Sequence, residues 1–90
     1  MTFHKYSLPR NEDNTYGVYE VNLPLDAQIL HVGVQNGIIC IWALVTPGVV
    51  FITHQIQIVG TGREAPERFE KYLGTVMQGG GTFVWHLFLL

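Results

Sequence analysis

Apolar and polar residues alternate one by one along much of the chain, the period of two that marks half-buried β-strands. In Gly17–Leu23 the residues Tyr19, Val21 and Leu23 fall on one face, and Val18, Glu20 and Asn22 on the other. Ala27–Gln35 predicts a strand with Leu30, Val32 and Val34 inward and His31, Gly33 and Gln35 outward. Val49–Val59 repeats the pattern over a longer span, with Val50, Ile52, His54, Ile56 and Ile58 on one face and Phe51, Thr53, Gln55 and Gln57 on the other. Ile38–Val45 is apolar without alternation, so both its faces are expected to be covered. Phe3–Leu8, Lys71–Gln78 and Thr82–Leu90 complete the set. The last of these puts Phe83, Trp85, Leu87 and Leu89 on one face and Val84, His86, Phe88 and Leu90 on the other, so it too wants cover on both sides.

Turn chemistry separates these runs. Pro9 closes the first strand, and Arg10–Tyr16 is a polar surface loop. Pro24–Asp26 and Thr46-Pro47-Gly48 are turns, and Gly79-Gly80-Gly81 is another. Asn36-Gly37 is the strongest hairpin signal present, because both residues accept the positive φ of a type I′ turn. Ala65–Glu70 reads either as one helical turn with Pro66 at its first position or as a loop. The expected architecture is therefore a single all-β domain over residues 1–90, or mostly β with one short helical turn. Six or seven strands form an antiparallel meander, closing into a small open barrel or a sandwich.

Composition adds an expectation about assembly. Hydrophobic residues are 48% of the chain and charged residues 13%, against about 25% charged in an average soluble domain. Ninety residues are too few to hide that much apolar surface, so a homo-oligomer is expected, joined through the apolar C-terminal strand. A membrane is the competing cover, but the longest apolar run, Ile38–Val45, is far short of the roughly twenty residues a spanning helix needs. The first residues, Met1–Lys5, contain no apolar leader, and the one cysteine, Cys40, lies in an apolar run as a small hydrophobe. Both features point to a cytoplasmic protein. The net charge is −2 and the five basic residues are scattered, which argues against nucleic acid as partner.

Catalytic and metal-binding patterns are missing. His4, His31, His54 and His86 are widely spaced, and none has a second ligand within one turn, so no metal site is expected. Ser7 lacks the context of an activated nucleophile, and Glu64, Glu67 and Glu70 read as a solvated face. The chain is expected not to be an enzyme and to need no cofactor. Two places suggest ligand binding. Gly60-Thr61-Gly62-Arg63 follows the long strand, and its glycines allow successive amides to turn toward one anion, with Arg63 gripping a phosphate or carboxylate. The alternative is a plain bend. Gln35 and Asn36, with Trp42 and Trp85, offer amide edges and flat rings to a planar heteroaromatic group, or else the tryptophans are core anchors.

Four blocks occur together in order: HVGVQNG within Gln28–Val45, which ends IWALV; GTG within Ile58–Pro66; and FVWHLF within Tyr72–Phe88. With the N-terminal HKYSLP of His4–Pro9, they resemble an uncharacterised family of small phage and prophage proteins, over most of the chain. That family often places His-Pro after Gly-Thr-Gly, where this chain has Arg63-Glu64. The resemblance implies a phage-encoded accessory protein of the host cytosol during infection. Its expected role is anti-defence, sequestering a small anionic, nucleotide-derived immune signal in an oligomer. The alternatives are inhibition of a host defence protein, or a structural or replication accessory role.

Overall fold

The computed structural model describes residues 1–8 and 17–90. Pro9 as a strand end and the polar loop 10–16 lie outside the described residues. Among the described residues seven strands follow in chain order: β1 Thr2–Ser7, β2 Gly17–Pro24, β3 Gln28–Gln35, β4 Ile38–Val45, β5 Phe51–Gly60, β6 Lys71–Gln78 and β7 Phe83–Leu89. The protein is all-β; a single 3₁₀ turn, Gly79–Gly81, joins β6 to β7. Ala65–Glu70 takes the loop form and not the helical turn. No helix among the described residues is long and apolar enough to cross a membrane.

The strands form two antiparallel sheets, one ordered β1-β4-β3 and the other β2-β5-β7-β6. Asn36 (φ 52°) and Gly37 (φ 76°) make the β3–β4 hairpin with the positive dihedrals the sequence called for. The core lies between the sheets. Ile39, Ile41, Ala43 and Val45 face it from β4; Tyr19, Val21 and Leu23 from β2; Ile56 and Ile58 from β5; and Trp85 and Leu87 from β7.

The sheets also meet side by side along β3 and β6. Lys71 Nζ donates to the Ile29 carbonyl at 3.2 Å, and Gln78 Nε2 to the Gly37 carbonyl at 2.8 Å. Between these two ties sits Gly74, with φ of 141°, where a Cβ would come within 2.7 Å of Val32 Cγ2. Only a residue without a side chain lets β6 approach β3 this closely.

Burial departs from simple alternation in β3 and at the start of β5. The β3–β4 register shifts between Ile29 and His31, so Ile29 is buried and Leu30, expected inward, is exposed. Along β5, Ile56 and Ile58 are buried as expected, whereas Val50 and Ile52 share their face and remain exposed. Strand β7 lies between β5 and β6, so both its edges are paired. Its inner face is core, and on its outer face Phe88 is covered edge-on by Phe69 and Tyr72, at ring distances of 4.9 and 5.1 Å.

Candidate functional site

At the end of β5 the chain turns sharply. Arg63 N–H donates to the Gly60 carbonyl at 3.1 Å, closing a β-turn whose third residue, Gly62, has φ of 92°. Thr61 N–H donates to the Val84 carbonyl of β7 at 3.2 Å. Two amides of the Gly60–Arg63 stretch are therefore spent within the chain, and the concave grip expected from successive amides does not form. What the turn does present is the Thr61 hydroxyl and the exposed Arg63.

The Thr61 hydroxyl lies 2.8 Å from His86 Nε2. On the other side of the ring, His86 Nδ1 is 3.2 Å from the Tyr72 hydroxyl and 3.1 Å from Thr75 Oγ1. Tyr72 and Thr75 also hydrogen-bond to each other. These groups meet because Thr75 pairs with His86 across β6 and β7, and Tyr72 pairs with Phe88 one pleat further along the same outer face. Both ring nitrogens thus have hydroxyl partners, and a hydroxyl donates or accepts as the imidazole requires. The row Thr61–His86–Thr75–Tyr72 can exchange some of these bonds for bonds to a polar ligand.

Thr61 also lines a cleft of about 220 Å³ with Gly60, Thr82, Phe83, Val84 and Trp85. Phe83 and Trp85 stack in parallel there, with centroids 5.8 Å apart and planes inclined by 5°. Trp85 is buried and its Nε1–H donates to Gln78 Oε1 at 2.9 Å. Phe83, by contrast, is 52% exposed. A planar ligand would therefore stack on Phe83, with Trp85 as the wall behind it.

The structure brings together part of what the sequence suggested. Gly60, Thr61 and Trp85 line one cleft, and Gly62 and Arg63 continue from its rim. Gln35 and Asn36 lie at the β3–β4 hairpin, whose Gly37 carbonyl is held by Gln78, the residue that also holds Trp85. Gln35 Oε1 accepts from Lys5 Nζ. Trp42 lies on the other sheet, on its outer face, beside His31 at 5.5 Å and against Gly33. It is not among the residues that line the cleft with Trp85. Sequence reasoning missed Phe83, His86, Tyr72 and Thr75 as site residues. Alternation placed Phe83 with Trp85, but only the β6–β7 register gathers the hydroxyls around His86. Among the described residues no three His, Cys, Asp or Glu side chains gather as a metal site.

Residues 1–90 match the family model described as a domain of unknown function, DUF7352. No curated protein and no solved structure matches the chain.

Proposed function

The chain belongs to the DUF7352 family, and we propose that it is a non-catalytic binding protein that holds a planar, anionic, nucleotide-like small molecule at the Thr61–Phe83 cleft. The observation that carries this reading is the position of Thr61. Thr61 lines the cleft beside Phe83 and Trp85, and its hydroxyl begins the His86 row. One ligand can stack on Phe83, reach the Thr61 hydroxyl at the strand end, and meet the Arg63 guanidinium with its anionic group. The cleft is smaller than the roughly 300–1,000 Å³ of an enclosing pocket, so it takes the ring, and the rest of the ligand lies along the surface.

The biological setting proposed is that of a phage-encoded accessory protein in the host cytosol, sequestering a nucleotide-derived immune signal. The resemblance of the four sequence blocks to small phage proteins supports this setting. Thermal-shift measurements with a panel of cyclic nucleotides and ADP-ribose derivatives test the reading. At least one ligand should raise the melting temperature, and Phe83→Ala and Arg63→Ala should each abolish the rise. A panel without effect, or a shift untouched by both substitutions, refutes it. An inhibitor of a host defence protein would instead bind one stoichiometric protein partner and ignore the panel.

A further inference from the structure

Strand β5 has neighbours on both sides over only part of its length. β2 pairs with it from Pro24 opposite Phe51 to Gly17 opposite Ile58. β7 pairs with it only from Ile56 to Gly60, extended by one bond from Leu90 N–H to the Gln55 carbonyl. Among the described residues no strand lies beside Phe51–His54 on the β7 side. Antiparallel bonding alternates from side to side. Val50 accepts from Leu25 on the β2 side and Gln55 from Leu90 on the β7 side, so the N–H and C=O groups of Phe51 and Thr53 face the open side. Pro24 fits this phase: opposite Phe51 it occupies a position where no N–H is needed.

The side chains beside this edge look like core that lacks its other half. Val50 and Ile52 stand on the pleat face that buries Ile56 and Ile58, yet they are 64% and 39% exposed, and Leu25 beside them is 57% exposed. Leu25 and Ile52 border a groove of about 620 Å³, lined also by His54, Glu70, Leu89 and Leu90. His54 Nε2 is buried there without a hydrogen-bond partner. Natural edge strands are usually protected by charge, but no Asp, Glu, Lys or Arg occurs between Asp26 and Arg63.

We propose that a second copy of this chain takes the open edge, β5 pairing antiparallel with its counterpart about a two-fold axis near Phe51. The two four-stranded sheets then become one sheet of eight strands. An uncharged segment suits self-pairing, since no like charges are brought opposite each other. A two-fold axis at Phe51 sets Phe51 opposite its own copy and Val50 of each chain opposite Ile52 of the other, which continues the core across the axis. Centring the pairing near Phe51 keeps the arriving strand clear of the place opposite Gln55 that Leu90 fills. Beside this edge Leu25, Val50 and Ile52 are exposed apolar side chains, and Phe51 is exposed on the other face of the strand. The ligand clefts lie at the Gly60 ends of the two β5 strands, each complete within one chain.

Sedimentation equilibrium on the full chain reads the result directly. The expected mass is twice 10.2 kDa, and Phe51→Lys should return a monomer with an unchanged far-ultraviolet circular dichroism spectrum. A short bismaleimide should link the Phe51→Cys variant into a dimer, while the native Cys40, 1% exposed, stays unreacted. A Phe83→Cys control, at the far end of the sheet, should not be linked. A wild-type monomer throughout the concentration range overturns the proposal, as does a dimer in which the Phe51→Cys variant fails to link. Should Phe51→Lys fail to fold, the cross-linking pair decides. The ligand reading is tested separately, because Phe51→Lys leaves the Phe83 cleft intact and should keep its thermal shift.

Discussion

Replacing Gly74 by alanine tests how the two sheets are held together. An alanine Cβ at this position would lie 2.7 Å from Val32 Cγ2, and the backbone φ of 141° is one that side chains disfavour. The conformational strain costs about 1–3 kcal/mol, and overpacking a filled site adds about 1–3 kcal/mol. A loss of about 3 kcal/mol would lower the melting temperature by roughly 12–24 °C in a domain of this size. Equilibrium urea denaturation of Gly74→Ala, Val32→Ala and the double variant separates the two causes. Val32→Ala alone removes buried methyl groups and should cost roughly 1–3 kcal/mol. If the close approach of β6 to β3 dominates, the double variant is more stable than the sum of the single losses implies, by at least about 0.5 kcal/mol. If strain at φ dominates, the losses add. A Gly74→Ala protein as stable as wild type would refute the account of the β3–β6 seam altogether.

Four further outcomes follow from the same packing. Gln78→Ala removes both the acceptor of Trp85 Nε1–H and the donor to the Gly37 carbonyl; it should cost about 1–3 kcal/mol by urea denaturation, and Gln78→Glu, which keeps the acceptor, should cost less. Gly37→Ala places a side chain at φ of 76° and should lose about 1 kcal/mol, read as a lower denaturation midpoint with an unchanged slope. Leu87→Ala empties a fully buried position between the sheets and should lose about 2–5 kcal/mol, enough to leave much of the protein unfolded at 37 °C. Cys40, at 1% exposure, should react with Ellman's reagent only as fast as the protein opens, and rapidly in denaturant.

What the sequence revealed and what it concealed divide along a physical line. Strand identities followed from period-two patterning, because each strand answers to its own two environments; Tyr19, Val21 and Leu23 are buried as their spacing implied. The β3–β4 hairpin was legible because Asn36-Gly37 is a local signal. Leu30 was misplaced because a bulge reverses the pleat within one strand, and no local residue announces it. Val50 and Ile52 share the face of the buried Ile56 and Ile58 yet stay exposed, because alternation reports a face and not how far the opposing sheet reaches. The double apolar character of β7 meets core on its inner face and, at Phe88 on its outer face, the rings of Phe69 and Tyr72.

The candidate site shows the same limit. Gly60, Thr61 and Trp85 were identifiable by type and do share a cleft. The His86 row draws on the turn after β5 and on both strands of the β6–β7 pair, so it exists only once the register is set. Gln35, Asn36 and Trp42 carried the right chemistry for stacking and edge hydrogen bonds, but the topology leaves Trp42 on the other sheet.

The central claim is that the Thr61–Phe83 cleft holds a nucleotide-like molecule, and native mass spectrometry tests it most directly. The protein is purified without denaturation from cells whose nucleotide-signalling defence is active. The account predicts a retained mass of nucleotide size on the wild-type protein, lost from the Phe83→Ala and Arg63→Ala variants. A bare wild-type protein, or an adduct that both variants retain, contradicts it.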